Sequence, residues 1–350
     1  MALVLFGTET ERRGQVLAMR LAATAMETRP FSGDLAELVT MFSALVGCAG
    51  CHGYTTSLDF SDLLEEEVSS DPSARLVELK GLLVTQDDRL QGVHGALLVA
   101  LFADEVDPLA ASAITQLTSL LDISDDLVSD VARVADAQAA SAKADLFRRF
   151  LAERIAKSAE VIGAHMERHD LGSLTAPATI VEYHRLLASA PEGSLGAEMR
   201  AFYSDARFDI PGSPGAPLPV EFLGSHDVHH VLAGYNTSAQ GEVYTAVFNA
   251  ANASAGIAWL SVVLLQWHQG IKLGVFPEGH SHLEPAQMAE AAKRGAQTSV
   301  DVYSATWDWM ALLDQPLDEV RSAIGIQGVG QVGPGQSWNP PSPPRPADIQ

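Results

Sequence analysis

Apolar residues recur at three- and four-residue intervals along most of the chain, and alternating runs of strand period are scarce, so the pattern predicts helices almost throughout. Thr8 followed by Glu11 has the spacing of a capping box and opens a helix over 11–26. A second helix over 34–47 stops at Gly47. Two more are expected at 74–84 and 93–105. Asp107-Pro108 then opens a fifth over 107–123. Residues 124–168 read as one long helix or two in series.

Gly and Pro interrupt the pattern at 170–179, which places a boundary between a helical N-terminal domain, 1–170, and a second helical domain, 178–326. Residues 209–219 are too rich in Pro and Gly for a helix. From 327 to 350 the Pro- and Gly-rich composition predicts a disordered tail. The expected fold class is all-α.

Composition narrows the function classes. The 350 residues hold 47% hydrophobic positions, enough for a sizeable core, and 44 acidic residues against 22 basic ones give a net charge of −22. No Lys/Arg cluster offsets that field, so nucleic acid is not an expected partner. The longest apolar run, 256–267, is shorter than the roughly 20 residues a membrane span needs. The N-terminus has no basic region ahead of its apolar run and does not read as a secretory signal. A cytoplasmic protein is expected, with peripheral contact at a membrane left open.

Several motifs carry less chemistry than they suggest. Cys48, Cys51 and His52 match the C-x-x-C-H spacing of c-type haem attachment, which also needs export; a helix-end turn with a reduced thiol pair is the preferred reading. No second Cys pair completes a zinc half-site there. His165 and His169 share a helix face beside Glu167 and Arg168, and a solvated charged face is expected. His280 and His282 fall in a loop before a Pro-started helix, and Trp307 and Trp309 read as packing anchors.

Residues 226–242, His-Asp-Val-His-His-Val-Leu-Ala-Gly-Tyr-Asn-Thr-Ser-Ala-Gln-Gly-Glu, are different. At about 100° per residue, His226, Asp227 and His230 share an arc of roughly 100°, and His229 lies outside it. The helix should end at Gly234. Thr237 with Gln240 should cap the next helix, whose antiparallel return brings Glu242 towards the histidines. Two imidazoles and two carboxylates suit zinc, iron or manganese. Spacing alone equally allows a polar helix face with an unrelated glutamate.

His-Asp-x-x-His, eleven residues, then Glu resembles the signature of the Coq-four family of coenzyme Q (ubiquinone) biosynthesis proteins. The flanks agree: 190–205 resembles the family's Pro-x-x-Thr-Leu-Gly segment and following helix, 241–243 the start of its glutamate helix, and 317–326 its Leu-Arg ending. The resemblance covers about 178–326. It implies an all-helical fold and a divalent metal, usually zinc, on His226, Asp227, His230 and Glu242, which would also be the catalytic residues. It implies an apolar groove for a polyprenyl tail. The implied activity is removal of the C1 carboxylate from a polyprenyl hydroxybenzoate-type ring, coupled to hydroxylation there. The implied partners are a polyprenyl quinone precursor, other quinone-biosynthesis proteins and a second copy of the chain. A lipid-binding scaffold with a structural metal, or an unrelated metal-dependent hydrolase, are the alternatives.

The chain departs from the family at 221–225, Glu-Phe-Leu-Gly-Ser, where Arg and Glu are usual. It departs again at 244–252, where a Lys and a second acidic residue are usual; both changes bear on the headgroup and the partner surface. The segment 246–267 alternates small with large apolar residues, which fits either a groove for a long chain or tight helix packing. Within 96–126 there is a resemblance to tellurite-resistance TerB-type helical domains.

Overall fold

The computed structural model describes residues 72–102, 108–135, 177–214, 220–252, 256–271, 279–302, 307–328, 330–333 and 336–338. Among them no strand forms, and the only sheet-like pairings are two isolated bridges, Ser194 with Pro316 and Gln269 with His280. The all-α expectation is borne out. The expected helices over 11–26 and 34–47, the Cys48–Cys51–His52 turn and the His165–His169 pair lie outside the described residues. No helix among the described residues is long and apolar enough to cross a membrane.

Among the described residues four helices come first: α1 (Pro72–Leu82), α2 (Gln86–Phe102), α3 (Pro108–Leu120) and α4 (Asp126–Ala135). Helix α2 starts earlier than the apolar pattern suggests, because Thr85 and Asp88 form a reciprocal cap. The Thr85 amide donates to Asp88 Oδ2 at 2.7 Å, and the Asp88 amide donates to Thr85 Oγ1 at 3.1 Å. Pro108 opens α3 as expected, and Asp125 caps α4 by accepting the Val128 amide at 2.9 Å.

The remaining helices are α5 (Pro177–Ser189), α6 (Leu195–Ala206), α7 (Ser225–Ala233), α8 (Ala239–Asn252), α9 (Gly256–Val263), α10 (Pro285–Gln297) and α11 (Leu317–Ala323). A π-helical turn, Val220–Gly224, leads into α7, and another, Leu264–His268, continues α9. Helix α8 is central: Gly241–Ala251 are all buried, and α7, α9 and α10 pack around it. Gly295 of α10 lies against the Phe248 carbonyl and the Ala251 methyl of α8, where no larger residue fits. Ala251 thus serves tight helix packing. The buried apolar side chains of α1–α4 and of the later helices form one cluster. The second π-turn aims two buried side chains at the end of α2: His268 Nε2 lies 2.8 Å from the Phe102 carbonyl, and Gln269 donates to the Leu101 carbonyl at 3.1 Å.

Helix α7 is only nine residues long and ends in the interior. Its final carbonyls therefore need buried donors. Arg321 of α11 donates to Leu232 O at 3.0 Å and Val231 O at 2.7 Å, and Arg294 of α10 donates to Ala233 O at 3.0 Å. Both guanidinium groups are buried, at 3% and 1% exposure, so they act where the negative end of a helix is least screened.

Within the stretch expected to be a tail, residues 330–333 and 336–338 are described and pack on the helices. The Val332 amide donates to Gly234 O at 2.9 Å, the Trp338 amide donates to Asp205 Oδ2 at 2.9 Å, and both side chains are buried. Burying the indole of Trp338 against Phe202, ring centroids 5.7 Å apart, offsets the entropy of ordering a Gly-rich chain that composition alone reads as free.

Replacing Arg321 with Met keeps the apolar stem but leaves two buried carbonyls without donors. The expected loss is about 2–4 kcal/mol of unfolding free energy in urea denaturation. A loss within error of zero would show that α7 does not depend on this cap.

Candidate metal centre

Local sequence explains where α7 and α8 begin and end. The Ser225 hydroxyl donates to Glu221 O (2.8 Å) and Phe222 O (3.0 Å), satisfying carbonyls loosened by the π-turn. Gly234 ends α7 at φ 77°, its amide on His230 O at 2.8 Å, as expected. The cap of α8 is Ser238, one residue after the expected Thr237: its hydroxyl accepts the Gly241 amide at 3.0 Å and donates to Asn236 Oδ1 at 2.6 Å. Asn236 wins the turn because its side chain also accepts the Ser238 amide at 3.1 Å. Its backbone carbonyl presses on Gly241, where a Cβ has no room. The resulting tight hairpin sets Glu242, in the first turn of α8, against α7.

His226, His230 and Glu242 converge, as expected. The two Nε2 atoms lie 3.1 Å apart, and each is 3.4 Å from Glu242 Oε2. Corners of a triangle with edges of 3.1, 3.4 and 3.4 Å lie about 1.9 Å from its centre, so an ion slightly above that plane reaches all three at the ~2.0–2.2 Å of zinc–nitrogen and zinc–carboxylate bonds. Among the described residues these three are the group of ligand-type side chains that could hold a metal ion. Glu242 Oε2 is buried and faces both imidazole Nε2 atoms at 3.4 Å, so its charge is balanced either by a proton on those rings or by a cation between the three.

The surroundings orient the donors. His230 Nδ1 faces the Tyr235 carbonyl at 3.0 Å and Thr245 Oγ1 at 3.1 Å. A proton on Nδ1 serves the carbonyl and turns the Nε2 lone pair to the centre, the arrangement that metal-binding histidines use. Phe202 lies against the His230 ring at 5.5 Å, and Trp259 meets the His226 ring edge-on at 5.7 Å. His226 is the more accessible imidazole, its side chain 15% exposed against 1% for His230, so exchange with solvent passes over His226.

Asp227 stands outside the converging group. Its Oδ2 accepts the Tyr203 hydroxyl at 2.9 Å, and the Tyr183 and Tyr203 hydroxyls are 2.8 Å apart, so a buried phenol pair holds it from behind. Burial raises Asp227 to about 7, against the lowering effects of the Tyr203 hydroxyl and His230. His229 faces the other way, its Nε2 3.1 Å from Val302 O and its ring stacked on Trp307. Trp309 packs edge-on against Tyr183 at 5.6 Å, which makes both tryptophans packing residues as expected. His280 and His282 are exposed on the loop before α10 and take no part in the group.

The three donors also fix each other's charge. Burial opposes ionisation of Glu242, but the two imidazoles outweigh it and hold the carboxyl well below the usual carboxylate range. Burial lowers His230, yet the Glu242 carboxylate, with help from Asp227 and the Tyr235 carbonyl, leaves it above its ordinary value. Thr245, one turn beyond Glu242 on the same face of α8, could have been found from that spacing. Phe202, Tyr203, Trp259, Arg294 and Arg321 arrive from distant segments, and no local pattern marks them.

The chain matches no protein-family model and no curated protein sequence. The Coq-four resemblance therefore rests on the motif and its flanks.

In the metal-free protein His230 holds its proton above the ordinary imidazole range. Its contribution to stability is present below about 6.5 and lost as pH rises through the raised value; that of Glu242 is present above about 4.5 and lost as pH falls. An ion must displace the His230 proton, so divalent-ion affinity weakens as pH falls, beginning above about 6.5. Calorimetric titration of Zn2+ in buffers of different ionisation enthalpy should show about one proton released per ion on the acid side. Affinity that is constant from pH 8 to 6 would contradict this coupling.

Proposed function

We propose that the chain is a divalent-metal protein of the Coq-four type, with zinc on His226, His230 and Glu242. In this reading it acts in polyprenyl quinone synthesis, on the C1 carboxylate of a prenylated hydroxybenzoate-type ring. The observation that carries the proposal is the convergence of three residues that the resemblance names, from two consecutive helices, on a triangle of metal-binding size. The other flanks fit as well. Ser194 caps α6, and Arg321, from the Leu-Arg ending, fixes the end of the histidine helix.

A bound divalent ion supplies a Lewis acid that withdraws charge from a carboxylate or phenolate oxygen. The chain's own residues do the rest. Three protein donors leave a position open, as in catalytic rather than closed structural sites. Phe202 and Trp259 pack against the His230 and His226 rings and fix their orientation. Asp227, held by the Tyr203 hydroxyl, is the buried carboxyl beside the site that can take or give a proton there. In the reaction, the bond from C1 to the carboxylate carbon breaks and carbon dioxide leaves. The electron pair stays on the ring until a proton, or oxygen from an external oxidant, takes it. A second reading, a lipid-binding scaffold with a structural ion, draws support from the depth of the donors, since His230 and Glu242 have side-chain exposures of 1% and 11%.

Metal analysis and mass spectrometry of co-purifying lipids on one sample test the proposal. One equivalent of zinc and a prenylated phenolic acid or quinone are expected. Glu242→Ala should abolish zinc uptake and turnover while helical content stays near wild type. Loss of the fold together with the metal favours the scaffold, and full zinc occupancy without Glu242 overturns the site.

A further inference from the structure

We propose that residues 330–333 and 336–338 form a strap whose docking sets the metal affinity of the α7–α8 hairpin, so that strap and ion stabilise one another; this rests on the metal reading above. The strap touches both arms of the hairpin. The Val332 amide donates to the carbonyl of Gly234, four residues after His230. Gly330 lies against the carbonyls of Ala233 and Gly234, an approach that leaves no room for a Cβ on either glycine. Gln331 donates to Gln240 Oε1 at 3.4 Å, two residues before Glu242. At the far end the Trp338 ring lies edge-on to Phe202, 5.7 Å between centroids, and Phe202 is the ring that backs His230 at 5.5 Å. A displaced strap thus frees the end of α7, the start of α8 and the support of one ligand together.

Opposing terms act on the docked strap. Five glycines fall between 325 and 335, so ordering this stretch costs more entropy than ordinary chain. Against that stand two buried anchors, Val332 and Trp338. Both ends carry unmet polar groups: Trp338 Nε1 and Gln331 Oε1 are buried without a hydrogen-bond partner among the described residues, and both regain water when the strap lifts. These terms oppose one another, and an ion that tightens the hairpin favours the docked state. By linkage the docked state favours the ion to the same degree.

The test measures the zinc affinity of the full chain by competition with a chromophoric chelator, and amide hydrogen exchange at Val332 and Trp338 with and without zinc. In wild type, zinc should slow exchange at both amides by about tenfold or more, and Trp338→Ala should weaken zinc binding by a similar factor. If Trp338→Ala loses helical signal, Val332→Pro, which removes the amide donated to Gly234 O together with the buried valine side chain, carries the comparison with the same expectation. A wild-type chain that takes up no zinc overturns the metal reading and the strap with it. Zinc affinity shared by wild type and the folded variant, with exchange unchanged by zinc, overturns the strap alone.

Discussion

The histidine helix ends inside the protein, and two buried guanidinium groups make that possible. Without Arg321 and Arg294, three consecutive carbonyls of α7 would be stranded where water cannot reach. With them, a nine-residue helix that would be marginal alone becomes a rigid arm. One arginine comes from α10 and the other from α11, so the cap also welds the last helices onto the hairpin. The direction in which His226 and His230 point follows from that weld.

The second arm is fixed by sterics. The Asn236 carbonyl against Gly241 leaves the turn no slack, and the Ser238 cap starts α8 at the residue that puts Glu242 opposite both imidazoles. The electrostatics then follow from burial. A carboxylate in the core needs a positive partner, and two imidazoles beside it supply one by sharing a proton or by ligating a cation. Asp227 reaches a different solution, raised to about 7 and held by a tyrosine hydroxyl. Two buried carboxyls beside the same imidazoles, one on α7 and one on α8, are thus shifted in opposite directions by their surroundings.

The helical class, the Pro108 start of α3, the Gly234 stop and the convergence of His226, His230 and Glu242 were legible because each depends on local spacing or turn chemistry. The cap at Ser238 was misplaced by one residue, since Thr237 and Ser238 are chemically alike and only the Asn236 side chain decides between them. Asp227 falls in the right arc, but arc does not fix reach, and Tyr203 from α6 claims its carboxylate. The packing of Val332 and Trp338 was illegible because the composition around them is that of a free chain; the contact of Trp338 with Phe202 depends on a residue more than a hundred positions away. The arginine caps carry no local signal, because their partners lie 61 to 90 residues away.

X-ray absorption at the zinc edge of the zinc-loaded full chain tests the central claim most directly. The account predicts two imidazole nitrogens and one carboxylate oxygen at about 2.0–2.2 Å, one further light-atom ligand and no sulfur. Sulfur scattering at about 2.3 Å, which would move the ion to Cys48 and Cys51, or a spectrum without the outer-shell signature of two imidazoles, would contradict it.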